Sequence, residues 1–250
     1  MRARRARHWL ERAGFRAASV AWSRLPERLA LSSGVALGSF AGSVLRVRRS
    51  DVERHLAWAF PDRQPAWRSA VARACYQHFG REAAATVRVG GWSAEALRER
   101  TPMVGFEAFR TEAARGGGVV LLTGHLGNWE IGGAAIAARG VPLDVVGKGM
   151  SNRGFQEDLF GLRGRLGMKV IEMGDASRRA LRSLAAGRVV ALLADQSAHR
   201  GGVLVPFFGR PAVTARGPAL FAVRSSAPVF VAFALRTAGR PQRYEVVFTR

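Results

Sequence analysis

The second half of the chain alternates between two hydrophobic patterns. Short runs of mostly apolar residues are typical of buried β-strands, and they occur at residues 119–123, 143–146, 169–171, 189–193, 229–235 and 244–249. Apolar positions spaced three or four residues apart predict helices at residues 129–139, 152–166, 175–186 and 218–224. Strands alternating with helices predict an α/β fold with a mostly parallel sheet flanked by helices. In such sheets functional residues collect in the loops at the carboxyl ends of the strands.

The first half of the chain predicts helices only. Residues 1–24 hold seven arginines among apolar side chains, which indicates either a basic amphipathic helix on an anionic membrane surface or a frayed basic tail. Residues 29–45 carry no charge and would span roughly 26 Å as a helix, a little short of a bilayer core. Gly34, Gly38 and Gly42 repeat every four residues, a spacing that lets two helices approach closely. This segment is therefore either a marginal, re-entrant or interfacial membrane helix or a glycine-rich core helix.

Two domains follow from these patterns. Residues 1–49 are predicted to associate with a membrane, and residues 50–250 to form the α/β domain with a helical front section at 50–103. The front section contains two predicted helices, at 65–90 and 93–100, the second with Ser93 as its N-cap.

The composition limits the classes of protein that fit. Hydrophobic residues make up 48% of the 250, enough for a sizeable core, which excludes a wholly disordered chain. The 39 Lys and Arg residues against 18 Asp and Glu give a net charge of +21 and predict an anionic partner: nucleic acid, anionic lipid or an acidic carrier protein. The single Cys75 cannot form an internal disulfide.

The sharpest chemical feature lies directly after the strand at 119–123. His125 stands between glycines in a loop, and Glu130 follows at the start of the next helix. A neutral imidazole is a suitable general base near pH 7, and a nearby carboxylate can fix its tautomer and stabilise the imidazolium. The backbone N–H groups of Gly127 and Asn128 would then lie where an oxyanion could be held. The alternative is an ordinary helix start, with Asn128 as N-cap, Glu130 as a first-turn acid and His125 as a loop residue without a task.

No other nucleophile or metal site competes with this histidine. The sequence has no G-x-S-x-G motif, and Cys75 falls on the apolar stripe of a predicted helix. The remaining histidines, His8, His55, His78 and His199, lack metal-ligand spacing. The chemistry that remains is a direct displacement assisted by a base, with neither metal nor cofactor.

The segment 123–130 (TGHLGNWE) resembles the H-x-x-x-x-E core of the bacterial lipid A biosynthesis acyltransferases, the lauroyl/myristoyl transferase family, which is related to the lysophospholipid acyltransferases. The likeness runs from about residue 25 to residue 235. Other segments that agree in order and spacing are 55–61 (HLAWAFP, with His55 where Asn is usual), 194–196 (ADQ), 205–209 (VPFFG), and Thr214 before 217–219 (GPA). The family usually continues beyond its last strand, so a truncated chain or a shorter relative is expected.

The resemblance implies a glycerolipid acyltransferase-like fold and an enzyme on the cytoplasmic face of the bacterial inner membrane. It would move a fatty acyl chain from acyl carrier protein or acyl-CoA to a hydroxyl of a lipid A precursor, and no cofactor is implied. His125 would be the base and Glu130 its partner. Arg163, with Arg165 as its rival, would bind the acceptor phosphate or the oxyanion, and Asp195 would support the site.

Two alternatives remain open at this stage. The same machinery could acylate another glycolipid, a phospholipid or an aminolipid. Alternatively, the chain could be a non-catalytic basic protein that binds membranes or nucleic acid. The sequence shows neither an aromatic-interleaved RNA motif nor a helix-turn-helix, so no nucleic-acid partner is expected.

Overall fold

The computed structural model describes residues 2–198, 201–239 and 241–250. The helices are α1 (Arg2–Arg24), α2 (Glu27–Ser43), α3 (Arg49–Ala59), α4 (Pro65–Val89), α5 (Ala94–Arg100), α6 (Phe106–Ala114), α7 (Trp129–Ala137), α8 (Arg153–Arg165), α9 (Ala176–Ala185) and α10 (Gly217–Ser225). The strands are β1 (Met103–Val104), β2 (Val119–Thr123), β3 (Leu143–Gly147), β4 (Met168–Glu172), β5 (Val189–Leu193), β6 (Val203–Phe207), β7 (Arg210–Thr214), β8 (Val229–Thr237) and β9 (Arg243–Thr249).

The chain divides into two compact units. Unit 1 comprises residues 1–16, 92–204 and 213–250, and unit 2 comprises residues 17–91 and 205–212. These units do not follow the sequence-based boundary after residue 49. The membrane role that the sequence gives to residues 1–49 stays a prediction.

Unit 1 is built on a seven-stranded sheet with the order β1-β9-β8-β2-β5-β3-β4. Every pairing in it is parallel except that of β8 with β9, which confirms the mostly parallel α/β fold. Side chains alternate between the two faces of each strand. Val120 and Val190 therefore pack beneath α9 and α10, whereas Leu121 and Ala191 face α7.

The amino-terminal half of α1 is anchored to α8 within unit 1. Arg12 and Arg16 both donate to the carboxylate of Asp158, and the Phe15 and Phe155 rings meet edge to face at 4.7 Å. These hydrogen bonds, first that of Arg16 and then that of Arg12, hold the pKa of Asp158 well below its usual range. This segment is therefore an ordered helix that carries part of the fold, not a frayed tail.

In unit 2, α2 packs against α4 through its glycines. A Cβ at Gly34 would lie 2.5 Å from the carbonyl oxygen of Gly80, and Cβ atoms at Gly38 and Gly42 would collide with Tyr76. The stripe thus serves helix–helix packing, as the core-helix alternative expects. The opposite face of α2 stays exposed through Leu29, Leu37, Phe40 and Val44. Within the described ranges, no helix has both the length and the apolar character required to cross a bilayer.

Four features of the fold have no counterpart in the sequence-based prediction. They are α3, the two-residue strand β1, α6, and the β6–β7 hairpin, which forms a separate two-stranded sheet. The sequence of β6 (VLVPF) is a continuous apolar run, but Pro206 interrupts it, and a proline within such a run argues against a central strand. Most side chains of the hairpin are exposed.

Candidate active site

Strands β2 and β5 bring a histidine and an aspartate together. The two strands pair in parallel, with Thr123 opposite Leu193 at their carboxyl ends. His125 and Asp195 each follow two residues beyond these ends, so both side chains reach the same edge of the sheet. The Nδ1 atom of His125 lies 2.8 Å from Oδ1 of Asp195, and the backbone N–H of His125 donates to Oδ2 at 2.6 Å. One carboxylate therefore holds both the loop and the ring.

This arrangement leaves the other ring nitrogen available for chemistry. When Nδ1–H donates to Asp195, Nε2 carries the lone pair that can accept a proton. The His125 side chain is 31% exposed, so a substrate hydroxyl can reach it. The Trp129 ring meets the imidazole edge to face at 4.6 Å, and the amide nitrogen of Gln196 lies 3.4 Å from Nε2. These neighbours restrict the orientation of the ring.

The two glycines beside His125 make room for this geometry. A Cβ at Gly124 would lie 3.0 Å from Oδ2 of Asp195, so a larger residue would displace the carboxylate. Gly127 has a φ of +70°, which L side chains rarely adopt, and its Cβ would collide with the carbonyl oxygen of Ala234. The TGHLGN segment therefore needs glycine at both places for the loop to fold back onto the sheet.

Glu130 does not contact the imidazole, so the expected His125–Glu130 pairing is wrong. Its carboxylate accepts from Nε of Arg163, 3.1 Å from Oε1 and 3.0 Å from Oε2, and from Nε1–H of Trp129 at 3.2 Å. Because α7 begins at Trp129, Glu130 in its first turn points into the interior toward α8, while His125 lies in the exposed loop. The carboxylate that contacts the ring is that of Asp195.

Arg163 forms an ion pair with Glu130. Its side chain is 14% exposed and that of Glu130 is 9% exposed, so the two charges neutralise each other in a largely dry environment. They border an apolar cavity of about 50 Å³ between α7 and the sheet, whose lining includes Leu121, Ile136 and Met168. The predicted contact of Arg163 with an acceptor phosphate or oxyanion stays a prediction, and Arg165, its rival, is exposed.

The predicted oxyanion site is contradicted at Asn128. Its backbone N–H donates to the carbonyl oxygen of Ala234 at 2.9 Å and is therefore occupied. Its side-chain oxygen accepts from the N–H of Ile131 at 3.1 Å, which makes Asn128 the N-cap of α7, as the alternative interpretation proposed. The role of Gly127 as a donor stays a prediction.

In the part of the chain that the structure describes, no set of three or more His, Cys, Asp or Glu side chains is arranged to hold a metal ion. His199 lies outside the described residues. Burial raises the pKa of the Cys75 thiol, which favours the protonated and less nucleophilic form.

A known protein family matches this chain along nearly its whole length, and curated relatives match about half of it or somewhat more. The bacterial lipid A biosynthesis acyltransferase family matches residues 2–249. The phosphatidylinositol mannoside acyltransferase of Mycobacterium tuberculosis (strain ATCC 25618 / H37Rv) is 30% identical over 127 residues, which cover 49% of this chain and 40% of that protein. The enzyme of the same name from Mycolicibacterium smegmatis is 26% identical over 161 residues, which cover 63% of this chain and 52% of the relative. The chain thus spans about half the length of the curated relatives that it matches.

Proposed function

The chain belongs to the bacterial lipid A biosynthesis acyltransferase family, and on that premise we propose that it transfers a fatty acyl chain from a thioester donor to a hydroxyl group of a membrane glycolipid. The observation that carries this proposal is the contact of His125 with Asp195 at the carboxyl edge of the sheet. It supplies an oriented imidazole whose side chain is partly exposed. The names of the mycobacterial relatives support acyl transfer to a glycolipid.

The proposed reaction is a direct displacement at the thioester carbonyl. Nε2 of His125 takes the proton of the acceptor hydroxyl as its oxygen attacks the carbonyl carbon. The tetrahedral intermediate collapses by breaking the carbon–sulfur bond, and the imidazolium returns the proton to the departing thiolate. The products are an ester on the acceptor and a free thiol on the carrier, and His125 is again neutral.

Asp195 is the proposed partner of the base. Its carboxylate holds Nδ1–H, which sets the reactive tautomer, and it stabilises the positive charge on the ring while the intermediate forms. Glu130 and Arg163 form a second, more buried pair that fixes the start of α7 against α8. Trp129 links the two pairs, because its ring contacts His125 and its Nε1–H donates to Glu130.

The identities of the acceptor and of the donor are more specific proposals than acyl transfer itself. A lipid A precursor is the acceptor that the family description suggests, and a mannosylated phosphatidylinositol is the one that the relatives suggest. Acyl carrier protein and acyl-CoA are both candidate donors. The net charge of +21 suits any of these anionic molecules.

We also propose that the protein works on the cytoplasmic face of the inner membrane, held to anionic lipid by residues 1–49. Exposed Trp9 and Leu10 lie among the arginines of α1, and α2 presents an exposed, uncharged face. Such segments bind the boundary between lipid headgroups and acyl chains without spanning the bilayer.

The experiment is an acyl-transfer assay in mixed micelles. Acyl carrier protein and CoA thioesters are each offered with a lipid A precursor, a phosphatidylinositol mannoside and phosphatidylethanolamine. We expect one donor–acceptor pair to be turned over, and His125→Ala to lower kcat by at least about 10²-fold without unfolding the protein. His78→Ala on α4 is the matched control and should keep wild-type turnover. An active His125→Ala variant would overturn the assignment of the base.

A further inference from the structure

Unit 2 carries a cluster of exposed aromatic rings that the proposed chemistry does not use. Trp58 at the end of α3 and Phe207 and Phe208 at the tip of the β6–β7 hairpin are 45%, 60% and 53% exposed. The Phe208 ring contacts Phe60 at 5.5 Å and Phe207 at 4.8 Å, both edge to face. We call Trp58, Phe60, Phe207 and Phe208 the aromatic patch.

Arginines surround this patch. The guanidinium groups of Arg54 and Arg210 lie 5.5 Å and 5.6 Å from the centre of the Trp58 ring. Both acidic residues of α3 are paired with arginines. Asp51 is bonded by Arg48 and Arg54, and this lowers its pKa. Glu53 is bonded by Arg49. Unit 2 as a whole has 12 arginines against 5 acidic residues. The patch is thus apolar in its rings and positively charged around them.

The hairpin holds Phe208 in a costly conformation. Phe208 and Gly209 are the two residues between β6 and β7, and their φ values are +50° and +72°. Two-residue turns with positive φ at both positions favour Asn, Asp or Gly at the first, so phenylalanine there is strained. Strain of this kind is typical of residues kept for function. Although the Phe208 ring contacts Phe60 and Phe207, it remains about half exposed.

We propose that the aromatic patch is a second membrane-contact site, separate from residues 1–49, and that it binds the interface of an anionic phospholipid bilayer. Aromatic rings with arginines beside them match the boundary where headgroups meet acyl chains, since the rings enter the apolar layer and the guanidinium groups meet lipid phosphates. The choice of a bilayer as occupant rests on the proposed function, because that function places the acceptor in a membrane.

The test is co-flotation of the full chain with vesicles of phosphatidylcholine, with or without phosphatidylglycerol. Phe207→Ser should lower the affinity for the anionic vesicles about tenfold, because it removes an inserting ring. Arg210→Gln should lower it about fivefold and weaken its salt dependence. Val223→Ser and Arg224→Gln, exposed neighbours on α10, are the matched controls and should bind like wild type. Thermal unfolding followed by circular dichroism checks that each variant is folded.

The outcomes distinguish membrane contact from binding of a protein partner and from the proposed acyl transfer. Wild-type vesicle affinity in folded Phe207→Ser and Arg210→Gln variants overturns it. If these variants keep their vesicle affinity but lose binding to acyl carrier protein, the patch belongs to a protein partner and the proposal is likewise overturned. Vesicle binding is measured separately from acyl transfer. An inactive His125→Ala variant should therefore still float with the vesicles, and its loss of activity does not bear on the membrane-contact proposal.

Discussion

The buried ion pair between Glu130 and Arg163 gives the most quantitative prediction for the fold. Both side chains are at most 14% exposed. Three nitrogen donors converge on the Glu130 carboxylate: Nε and Nη2 of Arg163 and Nε1 of Trp129. Replacing Arg163 with Met leaves the Glu130 carboxylate buried beside an apolar cavity with only Trp129 as donor. Replacing Glu130 with Gln leaves the guanidinium buried without a counter-charge.

Breaking a buried pair from one side costs about 3–5 kcal/mol, because the remaining charge has lost both its partner and its water. A typical domain has a free energy of unfolding of about 5–15 kcal/mol, so either single variant should lose a large share of its stability. The double variant Glu130→Gln, Arg163→Met leaves no uncompensated charge. The double variant should therefore lose less free energy of unfolding than the two single variants lose together, by about 2 kcal/mol or more.

The assay is urea unfolding followed by far-ultraviolet circular dichroism for wild type, both single variants and the double variant. Arg165→Met, on the same helix but exposed, is the matched control and should change the free energy of unfolding by less than about 0.5 kcal/mol. Losses below about 1 kcal/mol in both single variants, or strictly additive losses in the double variant, would refute the view that this pair holds α7 to α8.

Three further predictions concern the packing and the electrostatics of the fold. Gly38→Ala should lower the free energy of unfolding by about 1–3 kcal/mol, because its Cβ would collide with the carbonyl group of Tyr76. Gly14→Ala is the control and should not be destabilising, since its Cβ would meet nothing within 4 Å. Chemical denaturation of the two variants and wild type measures the difference. Asn128→Ala should cost about 1 kcal/mol through the lost N-cap of α7, and an unchanged unfolding midpoint would argue against that cap. Because its arginine partners lower the pKa of Asp158, this carboxylate stabilises the fold above its unfolded pKa of about 3.9, and the contribution fades as the pH falls below that value. The difference in Tm between wild type and Asp158→Asn should accordingly be largest near pH 6 and shrink toward pH 3, and a difference independent of pH would contradict this.

The sequence predicted the central strands β2 and β5 well because both are buried on both faces. Val119 to Thr123 and Val189 to Leu193 are continuous apolar runs in the sequence, and both are central strands in the structure. The β6–β7 hairpin was not predicted although residues 203–208 (VLVPFF) are an apolar run, because Pro206 within the run argues against a central strand.

The candidate site was predicted in part. The loop after β2 identified His125, but proximity in sequence favoured Glu130 as its partner. Which strand lies beside β2 is a property of the sheet order, and a local pattern does not contain it. A usable signal was nevertheless present: His125 and Asp195 each stand two residues beyond the end of a buried strand, the offset that aligns them once those strands pair in parallel.

The proposed role of Asp195 is to orient the base His125 and to balance its charge. Its most direct test is the turnover of Asp195→Asn in the acyl-transfer assay, at a temperature where the variant is fully folded. Asp62→Asn, which removes an exposed carboxylate elsewhere, serves as the matched control. We expect Asp195→Asn to lower kcat by about 10²- to 10⁴-fold while the KM for the acceptor changes little. A variant that keeps more than about a tenth of wild-type kcat would contradict it.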